Sequence, residues 1–202
     1  MPHQGAHSRA GFEARGGRSH AIADRGALEK SGAAHASDLA VALVALDAAV
    51  ELRAPQGRRT VPLNELYRLP ADTPHIETVL EPGEVIAAIT VSASPEARRS
   101  HYLKVRDRAS FEFAVVSAAV ALVMDGARIR QARIALGGVG TKPWRVPNVE
   151  AALSGASLDQ AGLRQAASLA TEGAQRRGHN DFKIELMQRA IVRAVEIAGA
   201  RA

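Results

Sequence analysis

Three cations, Lys104, Arg106 and Arg108, fall within the stretch SHYLKVRDRASFEFAVVSAAVALV, Ser100 to Val123, just ahead of a long apolar run. Guanidinium and ammonium groups at that density can hold an anion through charge-assisted hydrogen bonds. The plainer reading is a strand leaving a solvated edge, its basic stems lying on apolar surface and its charged heads in water. Other residues offer less. Gly137, Gly138 and Gly140 lack a dinucleotide fingerprint, because their spacing and the following Pro143 do not open a helix onto a phosphate. His3 and His7 have helical ligand spacing, but nothing near them predicts a helix or supplies further ligands. Asp38 reads as a helix cap or as a ligand. The seven histidines are dispersed and no Ser-His-Asp set declares itself. The absence of cysteine excludes disulfides, thiolate catalysis and a cysteine-ligated metal within these residues.

The elements that must position these groups follow from composition and pattern. At 202 residues and 47% hydrophobic, the chain suffices for one sizeable domain or two small ones. The run from Phe113 to Met124 is too short to span a bilayer as a helix, and the N-terminus lacks the apolar core of a secretory signal, so no membrane association is expected. The net charge of +5 raises the question of nucleic acid, but aromatics are only 3% and the arginines are scattered, so none is expected.

Residues 1–34, rich in Gly, Ala, Ser, His and Arg, read as a poorly ordered arm. HASDLAVALVALDAAV then predicts a short helix, with Ser37 or Asp38 as its N-cap and Leu39, Leu43 and Leu46 on neighbouring turns. Strands are expected in AAVELRA and RTVPL, a helical turn in NELYRL, and a strand-turn-strand in ETVLEPGEVIAAITVS. The loop SASPEARRS is the expected boundary between units 35–95 and 96–202. Beyond it come a strand in YLKVRDR and a longer one in ASFEFAVVSAAVALVM, apolar on both faces. Helix competes for that run, and Asp125-Gly126 decides for a hairpin with RIRQARIAL. GGVGTKPWR is a glycine-rich connection. Helices are expected at 149–153, 158–170 and 182–198, the last with Ile184, Met187, Ile191, Val195 and Ala198 as its core stripe. The fold class is therefore α+β, with an antiparallel C-terminal sheet covered by helices.

Taken in order, HASDLAVALVALDA, LEPGEVIAAITV, HYLKVRDRASFEFAVVSAAVAL, ARIALGGVGTKPWR and DFKIELMQRAIVRAV resemble the flavin-binding subunit of molybdenum hydroxylases, the xanthine dehydrogenase and aldehyde oxidoreductase family. The resemblance runs almost unbroken over 35–198 and is closest to the bacterial aldehyde oxidoreductase flavoprotein. It implies FAD bound between two lobes and a smaller C-terminal domain. It further implies that 35–95 is part of the second lobe and that the first lobe is largely missing. The implied partners are a molybdopterin-binding large subunit and a [2Fe-2S] small subunit, in a cytoplasmic complex, or a periplasmic one reached only by co-export with a partner. Electrons would pass from iron–sulfur clusters through FAD to an acceptor during xanthine or aldehyde oxidation. Position by position, Asp38, Ile86 and Lys104 match cofactor-contacting residues, and Gly16 and Gly17 fall in a faint likeness of the family's second glycine loop. A family cysteine that ligates a further cluster falls near Ser31, which cannot take that part. The competing expectations are a docking subunit without flavin and a degenerate fragment.

Overall fold

The computed structural model describes residues 34–70, 73, 75–174 and 180–201. Gly16, Gly17, Ser31, His3 and His7 lie outside the described residues. Helix α1, Asp38–Ala45, begins after Ser37, whose hydroxyl accepts from the Ala40 N–H and so satisfies one of the orphan donors of the first turn. Strands β1, Ala49–Ala54, and β2, Gly57–Pro62, form a hairpin followed by the single helical turn α2, Leu63–Leu66. Strand β3, Val85–Thr90, pairs with the other side of β1, giving a three-stranded antiparallel sheet in the order β2-β1-β3.

A short helix α3, Pro95–Arg98, leads into a second antiparallel sheet, in the order β4-β5-β6-β7. Its strands are Ser100–Val105, Val116–Asp125, Arg128–Gly137 and Trp144–Arg145. Helices α4, Pro147–Leu153, α5, Gln160–Ser168, and α6, Phe182–Gly199, follow, with a 3-10 turn at Leu169–Thr171.

The two-sided apolarity of β5 has a structural cause. Ala118, Val120 and Leu122 face one way and pack with Ile134 and Leu136 of β6 against Val149, Leu163, Met187, Ile191 and Val195 of the three C-terminal helices. Ala119 and Ala135 face the other way, onto Val41, Val44 and Ala45 of α1 and the Val50 and Leu52 of β1. Helix α1 thus joins the two sheets in one apolar layer. Each fully buried Leu or Ile contributes about 2 kcal/mol to that layer. A salt-bridge cluster closes its far end. Arg133 meets Asp47 at 2.8 Å, and Arg145 reaches Asp47 and grips Glu150, which also accepts from the Ile134 N–H.

The hairpin between β5 and β6 forms where Asp125-Gly126 predicts it, although Asp125 ends the strand and the loop is Gly126-Ala127. A positive φ of 56° at Gly126, the first loop position, is the pattern of a type II′ turn. Several sequence expectations are corrected. ETVL is not a strand; only Thr78 makes an isolated bridge, with Tyr67. SASPEARRS contains the turn of α3, because Pro95 fixes φ at a first helical position. The apolar strand starts at Val116 rather than Ala109. Residues 106–115 instead form a loop closed by the Val115 N–H on the Val105 carbonyl, with Phe111 at φ 52° and 96% exposed. In α1 the leucines are not the buried stripe. Ala40, Val41, Val44 and Ala45 are, because small and β-branched side chains let the helix lie close to both sheets.

In α6 the stripe holds from Met187 to Ala198, but Ile184 is only half-buried and Lys183 takes the deep position, 1% exposed. Its ammonium donates to the Gly138 carbonyl at 2.8 Å. Burial pulls its pKa from 10.5 down to about 8, against the opposing charge of Asp107. Between pH about 8 and 10.5 the unfolded chain therefore holds more protons at this residue than the folded one, so its contribution to stability rises with pH over that window. We expect wild type to gain stability relative to Lys183→Met as pH rises through the window. Urea unfolding of both proteins at either end of it checks the sign.

Candidate functional site

Alternation along β4 places Tyr102 and Lys104 on one face, and that face looks onto the first turn of α1. Asp38, the first helical residue, receives both. The Tyr102 hydroxyl donates to one carboxylate oxygen at 2.8 Å and the Lys104 ammonium to the other at 2.7 Å. Burial acts to raise the Asp38 pKa, but the hydrogen bonds from Lys104 and Tyr102, with the charges of Lys104 and Arg106, outweigh it and hold the carboxyl below its usual range. Tyr102 is pushed up, first by burial and then by the adjacent carboxylate, so it stays a phenol and a donor. Lys104→Met removes the strongest of the effects that hold Asp38 ionised, and we expect the Asp38 pKa to rise. Carboxyl NMR titration of the variant against wild type measures this.

The fates of the three clustered cations differ. Lys104 is engaged by Asp38. Arg108 turns back to the Phe111 carbonyl, and its own N–H donates to Glu112 at 2.7 Å. Arg106 makes no hydrogen bond or ion pair among the described residues, and it is exposed. From sequence Arg106 is one of three clustered cations with no contact of its own assigned, and the fold shows that its two neighbours are already occupied.

On the other side of the α1 N-terminus lies an open groove of about 420 Å³, open solvent included. Ser37 and Leu39, on either side of Asp38, line it together with Leu43, Tyr67, Ile86 and Ile89. A β-bulge shapes the β3 wall. Leu52 pairs with Ile86 while Glu51 pairs with Ala88, so Ala87 is the extra residue. Residues three apart on a regular strand point to opposite faces, and the bulge lets Ile86 and Ile89 share one. The leucines of α1 that do not enter the core belong here, Leu39 being 66% exposed.

The glycine loop 137–140 anchors the approach to α1. The His35 N–H donates to the Gly140 carbonyl at 2.8 Å, and its ring stands edge-on to Tyr67 at 4.8 Å between centroids. Burial lowers the His35 pKa, favouring the neutral ring. Of the residues singled out in the sequence, Asp38 and Lys104 are in direct contact, and Ile86 lines the groove across the helix from them. A carboxylate with one lysine is locally neutral. It suits a hydroxyl or N–H donor, while Arg106 suits an anion. Among the described residues there is no cluster of three or more metal-ligating side chains, and no helix long and apolar enough to cross a membrane.

Two family regions divide along the same line as the two sheets. Residues 31–93 match the FAD binding domain in molybdopterin dehydrogenase, and residues 101–198 match the CO dehydrogenase flavoprotein C-terminal domain. The chain belongs to the molybdenum hydroxylase flavoprotein family. Among its relatives, the aldehyde oxidoreductase FAD-binding subunit PaoB of Escherichia coli (strain K12) is 39% identical over all of this chain and 58% of its own length. The carbon monoxide dehydrogenase medium chain of Afipia carboxidovorans is 30% identical, over 82% of this chain and 57% of that protein. The crystal structure of Cu,Mo-CO dehydrogenase in its cyanide-inactivated form superposes with a TM-score of 0.72 at 30% identity, covering 82% of this chain and 57% of that one. The chain thus spans somewhat over half the length of these relatives.

Proposed function

We propose that this chain is the FAD-facing part of a flavoprotein subunit in a molybdenum hydroxylase, passing electrons from iron–sulfur clusters to an acceptor. The observation that carries the reading is the Asp38 carboxylate, held ionised by Lys104 and Tyr102 between two residues that line an apolar groove. That donor set fits the cofactor in part. Ile86, Ile89 and Leu39 offer a wall for a planar ring, Asp38 an acceptor for hydroxyl or N–H groups, and the exposed Arg106 a cation for the diphosphate. Gly16 and Gly17 are proposed to line the phosphates. When bound, FAD supplies the redox chemistry, and the protein's part is orientation, exclusion of water and local charge.

The proposed partners are a molybdopterin-binding large subunit and a [2Fe-2S] small subunit, and the proposed oxidation is of an aldehyde or a xanthine-like substrate bound elsewhere in the complex. The aldehyde side is favoured by the relative that matches the whole chain. The groove is open and shallow, so the isolated chain is proposed to hold FAD weakly and to be inactive alone; cofactor sites that bind tightly bury most of the ligand. A docking subunit without flavin is the competing reading, and the exposure of Leu39, Ile86 and Ile89 favours it. Co-expression with the two partner subunits tests the proposal. A three-subunit complex that passes substrate electrons to an acceptor dye supports it, and a chain that never co-purifies with either partner contradicts it.

A further inference from the structure

Ser117 of β5 is a polar residue set in an apolar layer. It is 1% exposed, and its hydroxyl makes no hydrogen bond among the described residues. Alternation puts it on the same face as Ala119, the face that packs on Val41, Val44 and Ala45 of α1. An alanine would fill that layer without leaving a donor unpaired, and an unpaired buried hydroxyl costs stability. The surroundings nevertheless make room for it. Gly137, its partner on β6, stands where any Cβ would collide with the Ser117 hydroxyl and with Val41. On its other side Ser117 pairs with Lys104 of β4, so the two side chains share a face. Tyr102 is the diagonal neighbour, a distance that an aromatic side chain spans. Burial, the largest influence on the Tyr102 pKa, raises it, and the Ser117 hydroxyl pulls the other way, as a donor beside the phenol oxygen does.

We propose that Ser117 is a positioning residue for Asp38, its hydroxyl donating to the Tyr102 oxygen so that the phenol proton is fixed on the carboxylate. The Tyr102 proton is committed to Asp38 at 2.8 Å, which leaves the phenol oxygen as an acceptor beside a buried donor that lacks one. Rotation of the hydroxyl with a small shift of the side chain closes the bond, at less cost than leaving the donor unpaired. Donation into the phenol oxygen polarises its O–H and strengthens the bond to Asp38. A chain thus runs from Ser117 through Tyr102 to one carboxylate oxygen, while Lys104 holds the other. Two fixed oxygens set the plane of the carboxylate and direct its remaining lone pairs to a ligand hydroxyl or N–H. The inference rests on the reading of Asp38 as a cofactor-facing acceptor only for what those lone pairs receive; the positioning is a property of this chain's own residues.

Ser117→Ala removes one oxygen from a face that already carries Ala119 and Ala135, so the variant should fold. The Asp38 carboxyl is titrated by NMR in the full chain, as wild type, Ser117→Ala, Tyr102→Phe and the double variant. We expect Ser117→Ala to raise the Asp38 pKa by about 0.3 unit or more, the size of the cooperative strengthening that is lost. In the Tyr102→Phe background the same substitution should leave it where it was, because the hydroxyl acts through the phenol. A hydroxyl that only packs would move the Asp38 titration in neither background, and that result overturns the proposal. An equal shift in both backgrounds overturns it too, since Ser117 would then reach Asp38 by another route. FAD content of the assembled complex is measured separately. A wild-type complex without flavin, with the Asp38 shift present, retains this inference and removes the flavin reading, whereas flavin bound without the shift does the reverse.

Discussion

Gly138→Ala should lower the melting temperature by about 10 °C, or leave the protein insoluble. Gly138 sits at φ 74°, a left-handed conformation that costs an L-residue about 1 kcal/mol or more. A Cβ there would also lie 2.6 Å from the Val115 carbonyl oxygen and 2.8 Å from that of Ala114. Those neighbours are backbone atoms of the strand-and-loop junction and cannot rotate away, so overpacking adds about 1–3 kcal/mol. In a domain of this size each kcal/mol is worth about 2–4 °C. The damage should spread, because the Gly138 carbonyl accepts from Lys183 and the same loop accepts from His35. Gly126→Ala is the control. Its Cβ meets nothing within 4 Å, so only the φ penalty remains and the loss should be a fraction of that at Gly138. Equal losses in the two variants would show that conformation alone, and not the close approach, matters at residue 138.

The second large effect is expected at the charged pair. In the assembled complex, Lys104→Met should weaken FAD retention about tenfold or shift the flavin reduction potential, because Asp38 loses the partner that keeps it ionised and in place. Methionine keeps much of the aliphatic stem, so unfolding by urea should change little. Arg106→Met should also weaken retention, but by a different route. An exposed cation facing a diphosphate acts through charge, so its effect should shrink as salt is raised. The Lys104 effect, which acts through a hydrogen-bonded pair, should persist. Wild-type flavin content in both variants would reduce the three clustered cations to a solvated strand end.

Much of the fold could be read from sequence because the signals were local. The hairpin at Asp125-Gly126 and the 3.6-residue stripe of α6 depend on neighbours in the chain, and both are where pattern places them. What escaped depended on distant packing. Leu39 and Leu43 look like core in any helical projection, but α1 is pressed between two sheets. Its small side chains face them, and the leucines are left to the groove. The bulge at Ala87 left no mark in VIAAIT, because alanine is tolerated on either face. Lys183 interrupts the apolar stripe in plain view, yet only the fold shows the carbonyl that it meets. Within the site, Lys104 and Asp38 stand out singly in the sequence, but only the resemblance put them with Ile86 in one site, because Asp38 and Lys104 are 66 positions apart.

The central claim is that flavin is held at the α1 N-terminus, between the Asp38 carboxylate and the groove beside it. The most direct measurement is acid extraction of the purified three-subunit complex, with the released FAD quantified by fluorescence against the amount of this chain, for wild type and for Asp38→Ala. The account predicts close to one FAD per chain in wild type and a large fall in the variant, with the subunits still assembled. A complex that forms normally and yields no FAD, or that yields as much from Asp38→Ala as from wild type, would contradict it.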